Sequence, residues 1–243
     1  MPELMIGLNA IPYEIRRSPK AKRLRLTVRP EGIEVVVPKR ARDLEVQTFI
    51  DSHRSWIRSK VEKYQALMAK HPGPEKLRDG VQIPFRGEPT PLTVVAADRA
   101  HPKVVEGDGF RVELPRNLST TEHEAVTERV LIKHLRNQAR DDAMLAIERF
   151  GPPNNLVPSA LHIKDQKRLW GSCTAADVIN LNWRLVLAPV EVFDYVVVHE
   201  LCHLRHRHHQ PPFWQAVEQV MPDYDRHRRW LRTNGHLLTL KRR

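Results

Sequence analysis

The sequence predicts an α+β chain: a β-rich part over residues 1–118, with a helical segment near 44–70, followed by a helical domain over 119–243 that carries a small antiparallel sheet. Three observations carry this reading. Leu24, Leu26 and Val28 alternate with Arg25, Thr27 and Arg29, the period of a half-buried strand. Val126, Val130, Leu131, Leu135, Ala139, Met144 and Ile147 recur at three and four residue spacing, the period of a helix with one apolar face. Val196-Val197-Val198-His199-Glu200-Leu201-Cys202-His203 sets a His-Glu-x-x-His pattern in an apolar run that a second helix would bury.

Taken in order, strands are expected over 13–17, 24–29 and 33–37, forming a meander with Pro30-Glu31-Gly32 as its second turn. Its outer face is basic: Arg16, Arg17, Lys20, Lys22, Arg23, Arg25 and Arg29 are opposed only by Glu14. Such a face serves either as a solvated surface that discourages edge pairing or as a contact for nucleic acid. Residues 44–70 read as one helix ended by His71-Pro72-Gly73-Pro74. Strands over 81–85, 91–96 and 110–114 are expected to continue the first sheet. Ser119 or Thr120, followed by Glu122, caps a helix of about 30 residues that Gly151-Pro152-Pro153 breaks. Strand signals follow at 161–164, 167–173 and 179–187, the last marked by Ile179, Leu181, Trp183 and Leu185. The helix carrying the His-Glu-x-x-His pattern begins near Val190. Pro211-Pro212 opens another, and a last one ends at Asn234-Gly235.

On a helix, His199 and His203 stand four apart on one face, close enough for both imidazoles to hold one zinc ion, with Glu200 beside them. Neutral imidazole nitrogens bind the metal, zinc lowers the pKa of its water to about 7, and a carboxylate takes the proton. A catalytic zinc takes about three protein ligands, so a third is expected downstream. His209 is the best-spaced candidate, at the distance used by the H-E-x-x-H-x-x-G-x-x-H pattern, although His206 stands where that pattern has Gly. His208 is a neighbouring alternative, and Glu218 would serve a two-His-one-Glu site. The opposing reading is a solvated, merely His-rich helix, since 13 His give many chances of the pattern.

Composition sets outer bounds. Forty Lys and Arg against 29 Asp and Glu give +11, so a polyanion partner is a candidate beside a polypeptide substrate. Cys173 and Cys202 form no disulfide framework. No charged start followed by a long apolar core marks a secretory signal, and no run approaches the roughly 18 apolar residues of a membrane span. A cytoplasmic location is therefore expected. A Gly-rich phosphate loop is missing, which weighs against a nucleotide as substrate.

Several motifs in one order make a longer signature: Leu169-Trp170-Gly171-Ser172-Cys173, Asn180-Leu181-Asn182-Trp183-Arg184-Leu185, Asp194 through Leu204, His209-Gln210-Pro211-Pro212-Phe213-Trp214 and Met221-Pro222-Asp223-Tyr224. Through them most of the chain resembles the bacterial YgjP-like metallopeptidase family, which is related to the SprT-like zinc proteases. The resemblance implies a zincin-like domain with zinc held by His199, His203 and His209 and with Glu200 as general base. The family usually has Asn-His-Ser before its Phe-Trp pair, where this sequence has His208-His209-Gln210. SprT-like relatives cleave proteins crosslinked to DNA, which implies a use for the basic surface. A family member has also been associated with nucleoside triphosphate pyrophosphohydrolysis, which the resemblance offers as an alternative activity.

Overall fold

The computed structural model describes residues 3–6, 9–29, 32–70, 76–166 and 169–241. The expected turn at Pro30-Glu31, the expected stop at His71-Pro72-Gly73-Pro74 and the residues Lys167-Arg168 lie outside them. The fold is a mixed α+β arrangement with three small sheets and six α-helices among the described residues. It divides into two compact units, between Pro72 and Gly73. The boundary expected near Leu118 falls inside the second unit, for a packing reason. Ile83, Leu92, Phe110, Val112 and Leu114 of the second sheet share one core with Leu131, Leu135, Ala139 and Ala143 of the long helix, so the sheet buries its apolar face there.

In the first unit, β1 (Glu3–Ile6), β2 (Asn9–Ser18), β3 (Arg25–Arg29) and β4 (Gly32–Pro38) lie in the order β1-β2-β4-β3. The expected meander is corrected here: β3 and β4 form an antiparallel hairpin, but β2 pairs parallel with the far edge of β4, Tyr13 opposite Ile33 and Ile15 opposite Val35. Val28, Ile33, Val35 and Val37 bury against Val46, Ile50, Ile57 and Val61 of two helices, α1 (Asp43–Ser52) and α2 (Arg54–Lys70). One helix was expected. The chain breaks at His53, where the Ser52 hydroxyl and His53 Nδ1 both bond the Phe49 carbonyl, at 2.9 and 2.8 Å, and draw it away from the helical ladder. Part of the basic face is neutralised locally: Arg16 pairs with Glu34 at 2.8 Å, and Arg17 donates to the Ala41 carbonyl at 2.7 Å and pairs with Asp43.

In the second unit, β5 (Val81–Phe85), β6 (Glu88–Ala97), β7 (Lys103–Glu106) and β8 (Phe110–Pro115) form a separate sheet of order β5-β6-β8-β7 and not a continuation of the first. The α3 helix (Thr120–Phe150) covers it and starts at a capping box in which the Ser119 amide donates to Glu122 at 3.1 Å. The third sheet, β9 (Ala160–Lys164), β10 (Gly171–Cys173) and β11 (Val178–Asn182), has the order β10-β11-β9. It is mixed and not purely antiparallel, because β9 and β11 run parallel. The strand expected to reach Leu187 stops at Asn182. Its side chain accepts from the Arg184 amide at 3.2 Å and donates to the Gln166 and Leu169 carbonyls, turning Trp183–Leu187 into a 3-10 helix. Trp183, Leu185, Val186 and Leu187 are all buried, so this run has no solvent face to alternate with.

The α4 helix (Val190–Cys202) follows. Val192, Phe193, Val196, Val197, Val198, Leu201 and Cys202 are 3% exposed or less, the pattern of a helix enclosed on nearly every side. The β5–β6 turn fixes its entry: the Arg86 amide donates to the Val186 carbonyl at 2.8 Å, and a Cβ on Gly87, which holds φ +87, would stand 2.8 Å from Pro189 Cγ. Two further helices, α5 (Pro211–Val220) and α6 (Tyr224–Asn234), complete the unit. No helix of the described residues is long and apolar enough to cross a membrane.

Candidate metal centre

His199 and Glu200 stand on the last turn of α4, and His203 is its C-terminal cap. The chain then turns tightly, with the Leu204 amide on the Leu201 carbonyl at 3.0 Å and the His206 amide on the Cys202 carbonyl at 3.0 Å, and returns His209 to the helix end. His209 Nε2 lies 3.0 Å from His199 Nε2 and 3.2 Å from His203 Nε2. One ligand atom from each of the three side chains falls within 4.8 Å of the others, the one such group of His, Cys, Asp or Glu among the described residues. Zinc–nitrogen bonds of about 2.0–2.1 Å in a tetrahedron put ligand nitrogens about 3.3 Å apart, so these spacings suit a shared ion as well as they suit hydrogen bonds between imidazoles.

The protonation of His199 and His203 is compatible with metal binding. His203 Nδ1 is 2.9 Å from the His206 carbonyl, which only accepts, so Nδ1 carries the proton and Nε2 keeps its lone pair. Burial, then the neighbouring His203 and His209, depress His199 to about 3, and burial also lowers His203. Both imidazoles are neutral at pH 7, the form that ligates a metal. Behind them Phe213, fully buried, meets all three rings at centroid distances of 4.4–4.8 Å. Trp214 lies 5.8 Å from His199 and 5.6 Å from His209.

Glu200 is 4% exposed, and burial pushes its carboxyl up to about 8. Its Oε2, like His199 Nδ1, is buried with no partner among the described residues. A buried carboxyl in this condition calls for a cation or water that the protein part does not supply. Gly171, the first residue of β10, makes room for it: a Cβ there would stand 2.5 Å from Glu200 Oε1. Convergent imidazole nitrogens beside an acid whose Oε2 has no partner among the described residues are a donor set that fits a divalent ion of borderline softness.

Other sequence candidates fall outside this group. The side chains of His208 and Glu218 are exposed and do not join the three ligand atoms. His206 contributes its backbone carbonyl. Burial lifts the Cys202 thiol to about 11, in keeping with a packing role. Periodicity did not single out the stack of Tyr195, Tyr224 and Trp214 beside the triad, with centroid steps of 6.5 and 5.7 Å, or Arg228 over the Trp214 ring at 4.3 Å. The three aromatics lie within the longer motif signature, and for Arg228 the available signal was its i, i+4 spacing from Tyr224.

The solved structure of the metallopeptidase zymogen of Pyrococcus abyssi abylysin is similar to this chain at 21% identity, over 39% of this chain and 92% of that one, with a TM-score of 0.33. No curated protein matches the chain. The family described as YgjP-like, metallopeptidase domain, matches residues 22–234, a span that includes the whole triad and Glu200. On that match over most of its length, the chain belongs to the YgjP-like metallopeptidase family and is a hydrolase.

Proposed function

We propose that the chain is a zinc-dependent, zincin-like peptidase with His199, His203 and His209 as metal ligands and Glu200 as general base. The observation that carries this is the meeting of three imidazole Nε2 atoms beside a buried carboxyl without a partner. Zinc at that point would supply Lewis acidity toward the peptide carbonyl and toward water. Glu200 accepts the proton of the attacking water and returns it to the departing amine. The His206 carbonyl holds the His203 ring in register, and Phe213 keeps the back of the triad dry. Among the described residues the sheet order leaves the outer edge of β10 without a partner strand, and Gly171 places that edge beside Glu200. An extended polypeptide would lie along it by backbone hydrogen bonds, with the scissile bond at the triad.

Protein purified without added metal is expected to hold about one equivalent of zinc, to cleave casein, to lose that activity on chelation and to regain it with zinc. Less than about a tenth of an equivalent in folded protein that zinc does not activate would sink the reading.

A nucleic-acid contact accompanies this as a second proposal, carried by the first unit alone. Lys20, Lys22, Arg23 and Arg25 are exposed and have no ion pair with a described residue. Lys22, Arg23 and Arg40 line a groove of about 600 Å³ with Leu24 and Phe49, and outnumber Glu45, the one acid in its lining. Binding to duplex DNA should weaken with salt at a log-log slope of about 0.9 per phosphate contacted. Reversing the charge of Lys20, Lys22, Arg23 and Arg25 together should lower that slope by at least two, as read by fluorescence anisotropy at several salt concentrations. An unchanged slope means the face is only solvated.

A further inference from the structure

The side of the triad formed by α5 and α6 holds a cation, Arg228, that shares its one nearby acid among the described residues, Asp225, with Arg229. Tyr224 and Arg228 are one turn apart on α6, and both meet Trp214 of α5. Arg228 Cζ is 4.3 Å from the Trp214 ring centroid, which is 5.8 Å from the His199 centroid; the two steps bound the guanidinium within about 10 Å of that ligand ring.

Arg228 is half exposed and donates no hydrogen bond to a described residue. Asp225 is 4.0 Å away and is held more closely by Arg229, at 3.0 Å. A contact of that length at the surface gives no reason for an arginine here. Beside a dication the placement is repulsive, unless an anion joins the two. The indole limits the side chain's freedom while leaving its fork of donors unspent, the arrangement that takes a carboxylate in bidentate fashion.

We propose that Arg228, seated on Trp214, binds a carboxylate of the peptide substrate. This deepens the peptidase reading and rests on it. An extended residue spans about 3.3–3.6 Å, so the carboxylate belongs within about three residues of the scissile bond. It comes either from the substrate's C-terminus or from an acidic side chain.

The probes are three short peptidyl hydroxamates of one length: one with a free C-terminal carboxylate, one with a C-terminal amide and a Glu side chain, and one with the amide and Gln. Their binding to zinc-loaded protein is measured by calorimetry. At least one carboxylate compound should bind about tenfold or more tightly than the neutral one, and which one does identifies the source. Arg228→Gln should reduce that ratio to within about twofold while holding full zinc and binding the neutral compound as the parent does. Equal affinities for all three, or a preference that survives Arg228→Gln, overturns the assignment and leaves the peptidase reading standing. Loss of zinc from Arg228→Gln also overturns it, since the arginine would then act on the ligands. Should tripolyphosphate displace the neutral compound better than either carboxylate, and only with Arg228 present, the site serves phosphate and the carboxylate assignment fails. If none of the three binds, the peptidase reading falls and this inference falls with it.

Discussion

Glu200→Gln is expected to lower casein cleavage by about a thousandfold or more while leaving zinc content at the parent level. A positioned general base contributes about 10²–10⁴ in rate, and the amide keeps the shape of the carboxylate without its basicity. Zinc should stay because Glu200 is not among the three converging nitrogens. Metal analysis and turnover measured on the same preparation check this: loss of zinc would make Glu200 a ligand, and retained turnover would place the base elsewhere. The metal-free proteins give a second readout. Burial holds the folded Glu200 carboxyl at about 8 against an ordinary 4.5. A raised folded pKa means that its contribution is complete below about 4.5 and is lost as pH rises toward 8, because the unfolded chain ionises first. The variant lacks this titration. Its thermal midpoint without metal should therefore gain on the parent's between pH 5 and pH 8.

What was legible in the sequence is what short-range chemistry controls. Ser119 and Glu122 announce the start of α3 because both halves of a capping box lie within three residues. The apolar run before His199 announces α4 because a helix 3% exposed or less at most positions tolerates few polar ones. His199 and His203 could be placed on one face for the same reason: four residues make one turn.

The parts that were not legible depend on partners distant in the chain. Nothing in Tyr13 to Arg17 says that β2 pairs parallel with β4 and leaves β3, the next strand in the chain, on the far side of β4, and the alternation is the same in a meander. The run 183–187 is apolar at nearly every position, so period two and a buried turn look alike until Asn182 is seen bonding back to Gln166 and Leu169. The strand signal over 167–173 does not show that the missing side chain of Gly171 is the space that the Glu200 carboxyl occupies. Arg228 was one of many arginines, and only the position of Trp214 distinguishes it. These features share one cause: each is set by what a residue meets across the fold, which a single chain read in order does not record.

His209→Ala is expected to weaken zinc binding well beyond the roughly 10–100-fold that the loss of an outer-shell partner costs, because it removes one of three direct ligands. The effect should appear without damage to the fold, since His209 is exposed in the turn after α4 and meets the core only through the Phe213 and Trp214 rings. The metal-free variant should melt within a few degrees of the metal-free parent. Competition against a chromophoric chelator measures the affinity, and the controls decide the assignment. His208→Ala and Glu218→Ala, both exposed and both apart from the converging nitrogens, should stay within about threefold of the parent. His203→Ala should match His209→Ala and in addition free the His206 carbonyl, which now accepts from Nδ1 at 2.9 Å, so the turn itself should loosen. Were His209→Ala to keep its zinc under chelator challenge while His208→Ala or Glu218→Ala lost it, the turn from Leu204 to Gln210 would present a different side chain to the metal, and Nε2 spacings of 3.0 and 3.2 Å would reflect imidazole packing alone.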